Sequence, residues 1–249
     1  VLARIMSREA AGARMFEMVA AAFVTIGARA FAYAGCAADI VTIASLIVLI
    51  PGLTLTSALS ELATRHLASG SARLTAAGVV FLQMALGGGV GTKGFDLLFG
   101  AGPDVAPASP VPGWPFIAFI ATVLGFTLLF RIPKREVVWV SVTSGLGLAG
   151  TYAGGRWFGP ELGPALGAFL VALAGNGYAR LLGRPAIVLI APGILLLVPG
   201  SAGFRGFVEL LSQDASMGVQ LAFSAGLTGM AIVAGLLTAN IALPARRAL

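Results

Sequence analysis

The chain reads as an all-α polytopic membrane protein of about eight transmembrane helices, arranged as inverted repeats with Pro-Gly-broken helices. Three observations lead there. The first is composition: 58% of the 249 residues are hydrophobic and 10% are charged, with a mean hydropathy of +0.96. Soluble domains carry about 25% charged residues, so water is not the main solvent of this chain. The second is a series of apolar stretches near the roughly 20 residues that span a bilayer. The third is a Pro-Gly pair that recurs 148 residues apart, at Pro51-Gly52 and Pro199-Gly200, inside two matching apolar segments.

The spans follow in order. The first covers 16–35 and carries Arg29, and the second, 40–59, is interrupted by Pro51-Gly52. The third, 74–94, contains Gly87-Gly88-Gly89-Val90-Gly91. The fourth covers 114–131 and the fifth 136–154. The sixth, 162–181, holds Gly163 and Gly167 at small-xxx-small spacing, as Gly87 and Gly91 are in the third, which suits close helix packing. The seventh, 185–203, carries Pro192-Gly193 as well as Pro199-Gly200 and so is expected to be interrupted twice. The eighth, 216–243, is long enough to tilt or to extend beyond the bilayer. Between the third and fourth lies the Pro-rich linker 101–113, which divides residues 1–100, three helices of a first repeat, from 114–249, a second repeat of five. Pairing three spans with five predicts two further spans before Val1, where the chain lacks an initiator Met.

Basic residues orient the spans. Twelve of the 16 fall on the side of the first span's N-terminus: Arg4, Arg8, Arg14, Arg65, Arg73, Arg131, Lys134, Arg135, Arg180, Arg184, Arg246 and Arg247. Lys93, Arg156 and Arg205 fall on the other, and Arg29 lies within a span. The positive-inside rule makes the richer side cytoplasmic, with both ends of this segment there. The first three spans and the last three then run in opposite senses, so the repeat is inverted.

Each break has a chemical consequence. Proline has no N–H and crowds the carbonyl four residues back, Ile47 for Pro51 and Leu195 for Pro199. Pro51 lies about 11 residues, roughly 16 Å, from the outer end of its span, and Pro199 about 14 residues, roughly 21 Å, from the inner end of its own. Both breaks therefore fall near the middle of the bilayer. Freed polar groups there must find protein partners or line a wet cavity, because lipid offers none. Paired broken helices are the substrate sites of repeat-built transporters. Pro51, Gly52, Thr54, Thr56 and Ser57 on one segment, and Pro199, Gly200, Ser201 and Arg205 on the other, are the candidate substrate-binding residues. Asn176, deep in the sixth span, either hydrogen-bonds substrate or bridges helices, as does Tyr178. Glu61 and Glu209, each ten residues after its proline, carry protons or cations, or are solvated carboxylates at helix ends. Arg29 is either functional or a cation snorkelling to the boundary.

Other functions lack their chemistry. The net charge of +6 sits in short loops, which fits orientation rather than nucleic acid. Cys36 and His66 are each the sole residue of their type, so neither a disulfide, a His/Cys metal site nor a cofactor is expected. The Gly87–Gly91 run lacks the Gly-Lys-Ser/Thr ending of a phosphate loop, and no nucleophile elbow marks a hydrolase, so the chain is not read as an enzyme.

The segments IASLIVLIPGLTLTSALSELATRHLASGSARL (43–74) and RPAIVLIAPGILLLVPGSAGFRGF (184–207) resemble the threonine/serine exporter family of bacterial inner-membrane proteins. The resemblance implies two five-helix units and gradient-driven export of threonine, serine or a similar small polar solute. Some relatives are linked instead to small dicarboxylates such as succinate, and a passive channel is the further alternative. The partners implied are the lipid bilayer, the substrate and protons as coupling ions; an oligomer is compatible with the sequence.

Overall fold

The computed structural model describes residues 15–103, 105–106, 112–211 and 215–244. Arg4, Arg8, Arg14, Arg246 and Arg247, and much of the linker 101–113, lie outside the described residues. Among the described residues there are ten α-helices, one short 3-10 helix (Lys134–Glu136) and no strand. The α-helices are α1 (Phe16–Ala32), α2 (Ala38–Leu46), α3 (Gly52–Ala63), α4 (Leu67–Phe99) and α5 (Trp114–Leu129), then α6 (Val137–Phe158), α7 (Gly163–Leu182), α8 (Ile187–Leu197), α9 (Gly200–Leu211) and α10 (Ala215–Ala242). The stretches Leu67–Phe99, Gly163–Leu182, Ile187–Leu211 and Ala215–Ala242 are long and apolar enough to cross a membrane, and Trp114–Leu129 is a shorter apolar helix. The chain is an all-α polytopic membrane protein. Every predicted span coincides with helix, the third extended to 33 residues.

Both Pro-Gly pairs break their helices. Helix α2 ends at Leu46, where the amides of Leu49 and Ile50 both donate to the Leu46 carbonyl, at 2.8 and 3.1 Å. The Gly52 amide then donates to the Ile50 carbonyl at 2.7 Å, a tight turn around Pro51, before α3 begins. At the second break Val198 is extended, with ψ 129°, as steric conflict with the following proline ring dictates. Pro192-Gly193 behaves otherwise: α8 runs through it. The expected second interruption of the seventh span is absent, because Pro192 and Gly193 are packed inside. A Cβ on Gly193 would lie 2.7 Å from Val171 Cγ1 and 3.6 Å from Thr143 Cγ2, and these neighbours hold the helix together despite one missing bond.

The chain forms two compact units, each assembled from separated segments. The first comprises 1–55, 71–109 and 200–223; the second comprises 56–70, 110–199 and 224–249. In the first unit α1 lies directly against α4. A Cβ on Gly91 would stand 2.5 Å from the Ala22 carbonyl oxygen, and one on Gly87 would collide with that of Met18. Lipid tails are as apolar as leucine, so close backbone approach and dispersion hold such helices together rather than exclusion of water. Arg29 reaches Asp96 of α4 at 2.8 Å in a partly exposed ion pair and lies over the Phe95 ring. Helix α9 packs on α4 through Phe207, stacked on Phe81 with ring centres 5.6 Å apart.

The second unit is built on a glycine seam between α6 and α7. A Cβ on Gly163 would lie 2.7 Å from the Thr151 carbonyl oxygen, and one on Gly167 would lie 2.6 Å from that of Gly147. Ala168, Val171, Ile194, Leu197 and Ile232 form the core beside it. At one end, buried Glu136 accepts hydrogen bonds from the Tyr178 hydroxyl and the Arg184 guanidinium, and Arg135 lies 3.2 Å away. The hydrogen bond with Tyr178, followed by the charge of Glu136, holds Arg184 above its ordinary value, so it remains a cation.

Candidate substrate cavity

The first unit contains a cavity of about 740 Å³. Its walls come from α1, α2, α4 and α9, and each wall supplies polar groups to an otherwise apolar space. Helix α1 gives Thr25; α2 gives Asp39 and Thr42; α4 gives Thr92 and Lys93; α9 gives Arg205 and Glu209. Arg205 and Glu209 are one helical turn apart, so both project from the same face of α9. Thr92 and Lys93 follow the glycine run, of which Gly88 and Gly89 line the cavity while Gly87 and Gly91 pack on α1. A run that alternates in this way serves two walls at once: two glycines bring helices together, and two leave space.

Two carboxylates and two cations in one concave site suit a small molecule bearing both signs of charge. An ammonium is drawn to Asp39 and Glu209, and a carboxylate to Lys93 and Arg205. The size falls within the ordinary range of small-molecule sites, about 300–1,000 Å³.

Of the residues singled out from the sequence, Arg205 and Glu209 line this cavity. The break residues do not line it, but the breaks themselves meet within the first unit. A Cβ on Gly200 would lie 2.5 Å from Ile50 Cγ2 and 3.6 Å from the Gly52 Cα. There Pro51 and Thr54 are half-buried, Gly52 and Gly200 are buried, and Ser201 is exposed. In the second unit Thr56 and Pro199 are buried, Ser57 is exposed, and Glu61 is half-buried in the last turns of α3. Asn176 is 1% exposed and donates to Asn240 Oδ1 at 2.9 Å and to the Leu243 carbonyl at 2.7 Å. It therefore bridges α7 to the end of α10, the second of its two sequence readings. Tyr178 is committed to Glu136.

Sequence reasoning passed over Thr25, Asp39, Lys93 and Gly88. A signal exists for two of them: Asp39 and Lys93 are charges at the ends of strongly apolar spans. Thr25 and Gly88 carry no such mark.

The family comparison follows this geometry. The profile described as "Threonine/Serine exporter, ThrE" matches residues 115–242, and a second threonine/serine exporter profile matches 1–94. Among curated proteins the chain is similar to pheromone-regulated membrane protein 10 of three yeasts. It is 27% identical to that of Candida glabrata over 205 residues, 80% of this chain and 26% of the relative. The Zygosaccharomyces rouxii protein is 26% identical over 219 residues, 82% of this chain and 22% of the relative. The Saccharomyces cerevisiae protein, strain S288c, is 26% identical over 205 residues, 80% of this chain and 53% of the relative. The chain thus spans from about a fifth to about half of the length of these relatives. No solved structure matches it. With one profile covering more than half of the residues and a second covering most of the remainder, the chain belongs to the threonine/serine exporter family.

Proposed function

We propose that the protein is a secondary-active transporter that exports threonine, serine or a similar small polar solute, driven by a gradient across a bacterial inner membrane. The observation that carries this reading is the charge content of the cavity. Asp39 and Glu209 together with Lys93 and Arg205 supply both halves of a zwitterion's recognition in one unit. The twin helix breaks support it further. Segments free of regular hydrogen bonding let a helix pair change its bend, which alternating access requires. Each unit draws a stretch from the other half of the chain: 56–70 of the first half joins the second unit, and 200–223 of the second half joins the first. At the repeat offset, the first of these stretches corresponds to the core of the second. The basic-residue bias supports a cytoplasmic position for both ends of the segment, and Glu209, which lines the cavity, is the candidate for coupling proton movement to substrate.

A dicarboxylate such as succinate is the second reading, since Lys93 and Arg205 are two cations in one cavity. Asp39 and Glu209 oppose it, because two acids facing a doubly negative ligand repel it. The test is efflux from proteoliposomes of the full-length protein loaded with labelled threonine, serine or succinate under an imposed pH gradient. Gradient-dependent, saturable efflux of the amino acids above that of empty liposomes is expected. Efflux of succinate alone would transfer the function to the second reading, flux that ignores the gradient would make the protein a channel, and no flux of any kind would remove both readings.

A further inference from the structure

Among the hydroxyls on the cavity wall, which include Thr42 and Thr92, that of Thr25 is the buried one. Thr25 is 6% exposed, and its Oγ1 has no hydrogen-bond partner. Hydroxyls in apolar helices ordinarily satisfy themselves on the carbonyl one turn back. Thr75, Thr122, Thr127, Ser141 and Thr238 each do so here, at 2.7–2.9 Å. Thr25, in the middle of α1, does not, and neither do the buried hydroxyls of Thr143, Ser144 and Thr151, but of these four only Thr25 lines the cavity.

Helix α4 lies beside it. A Cβ on Gly91 would lie 3.0 Å from the Thr25 Cβ, so α4 presses on the side chain from one side. A Cβ on Gly88 would lie 3.6 Å from Oγ1 and would touch nothing else within 4 Å. Glycine at 88 therefore leaves a space of methyl size directly before the hydroxyl. Both residues line the cavity.

We propose that Thr25 Oγ1, with the space left by Gly88, receives the side-chain hydroxyl of the transported solute and is the specificity-determining contact of the cavity. The inference rests on the transport reading above. Asp39, Glu209, Lys93 and Arg205 account for the backbone ammonium and carboxylate that every α-amino acid shares, so they cannot distinguish one from another. A hydroxyl both donates and accepts, and therefore pairs with Oγ1 in either sense. A methyl in its place leaves Oγ1 buried and unpaired, which is what lets a polar site reject an isostere lacking the polar group. Threonine and valine differ by that single replacement.

The experiment compares labelled threonine and valine efflux from proteoliposomes of the full-length protein and its variants. The wild-type protein should export threonine in strong preference to valine. Thr25→Val and Thr25→Ala, which remove the hydroxyl in opposite steric directions, should each reduce the threonine-to-valine ratio by about tenfold. Thr25→Ser should preserve it. A ratio unchanged in whichever of Thr25→Val and Thr25→Ala remains active would overturn the assignment and leave Oγ1 to a bound water, with transport itself intact. Thr25→Ser losing the preference would overturn it equally. Wild-type liposomes that export neither amino acid would instead remove the transport reading, and this contact with it.

Discussion

Arg205 and Glu209 stand one turn apart on α9, and Asp39 and Lys93 come to the same cavity from α2 and α4. Charges are costly in membrane segments and persist where they pair or face water. If these four groups hold a zwitterion, neutralising any of them removes charge-assisted hydrogen bonding and leaves part of the ligand uncompensated. Arg205→Gln and Asp39→Asn should each lower the threonine efflux rate at least about tenfold without preventing insertion. Rates within twofold of wild type would dissociate the cavity from transport. Glu209→Gln should slow threonine movement as well, and should abolish the response to a pH gradient in the exchange that remains; a retained response would place coupling elsewhere. Glu209 was legible in the sequence because it follows Pro199 at the distance at which Glu61 follows Pro51, and Arg205 because it is a charge close after the second break. Thr25 was not, since its meaning lies in a hydrogen bond it fails to make, and that depends on α4. Asn176 was legible as a polar residue in lipid, but only its partners on α10 decide between ligand and tie.

Glycine and proline govern the helices. Gly200 approaches Ile50 and Gly52, so the two breaks touch through atoms rather than merely lying at similar depth. Gly200→Val would drive a branched side chain into Ile50, and overpacking of this kind costs about 1–3 kcal/mol. A lowered melting temperature in detergent, together with lost efflux, is expected; a variant as stable as wild type would show that the breaks separate freely. Gly91→Val should act similarly by forcing α1 from α4. Glu136 is a different kind of tie, joining the start of α6 to α7 and to the α7–α8 connection through Tyr178 and Arg184. Glu136→Gln should lower the melting temperature by roughly 2–4 °C, because buried Glu136 loses its charge-assisted bonds while Arg184, 36% exposed, is still partly solvated. No change would mean that water already screens the cluster. The helix breaks at Pro51 and Pro199 were readable from the Pro-Gly pairs alone. The unbroken course of α8 through Pro192 was not, since it depends on Val171 and Thr143 from other helices.

At the scale of the molecule, composition decides the class and periodic apolar stretches decide the helices, so the all-α membrane architecture was open to sequence reading. The cavity was not. It requires α1, α2, α4 and α9, drawn from segments more than 100 residues apart; the spacing of Gly87 and Gly91 announces close packing but does not name α1 as the partner, nor does Gly203 name the Phe81 ring. The central claim is that this cavity of the first unit is where the solute binds. Gly89 lines it, and a Cβ there would meet nothing within 4 Å, so a reporter can be introduced without displacing a neighbour. Cys36, the chain's sole cysteine, is exposed and can first be replaced by serine. In that background, the rate at which a small thiol reagent alkylates a Gly89→Cys variant should fall several-fold as threonine is raised to saturation, and should be unaffected by an amino acid that is not transported. An alkylation rate indifferent to threonine, in a variant that still exports it, would show that the solute takes another route.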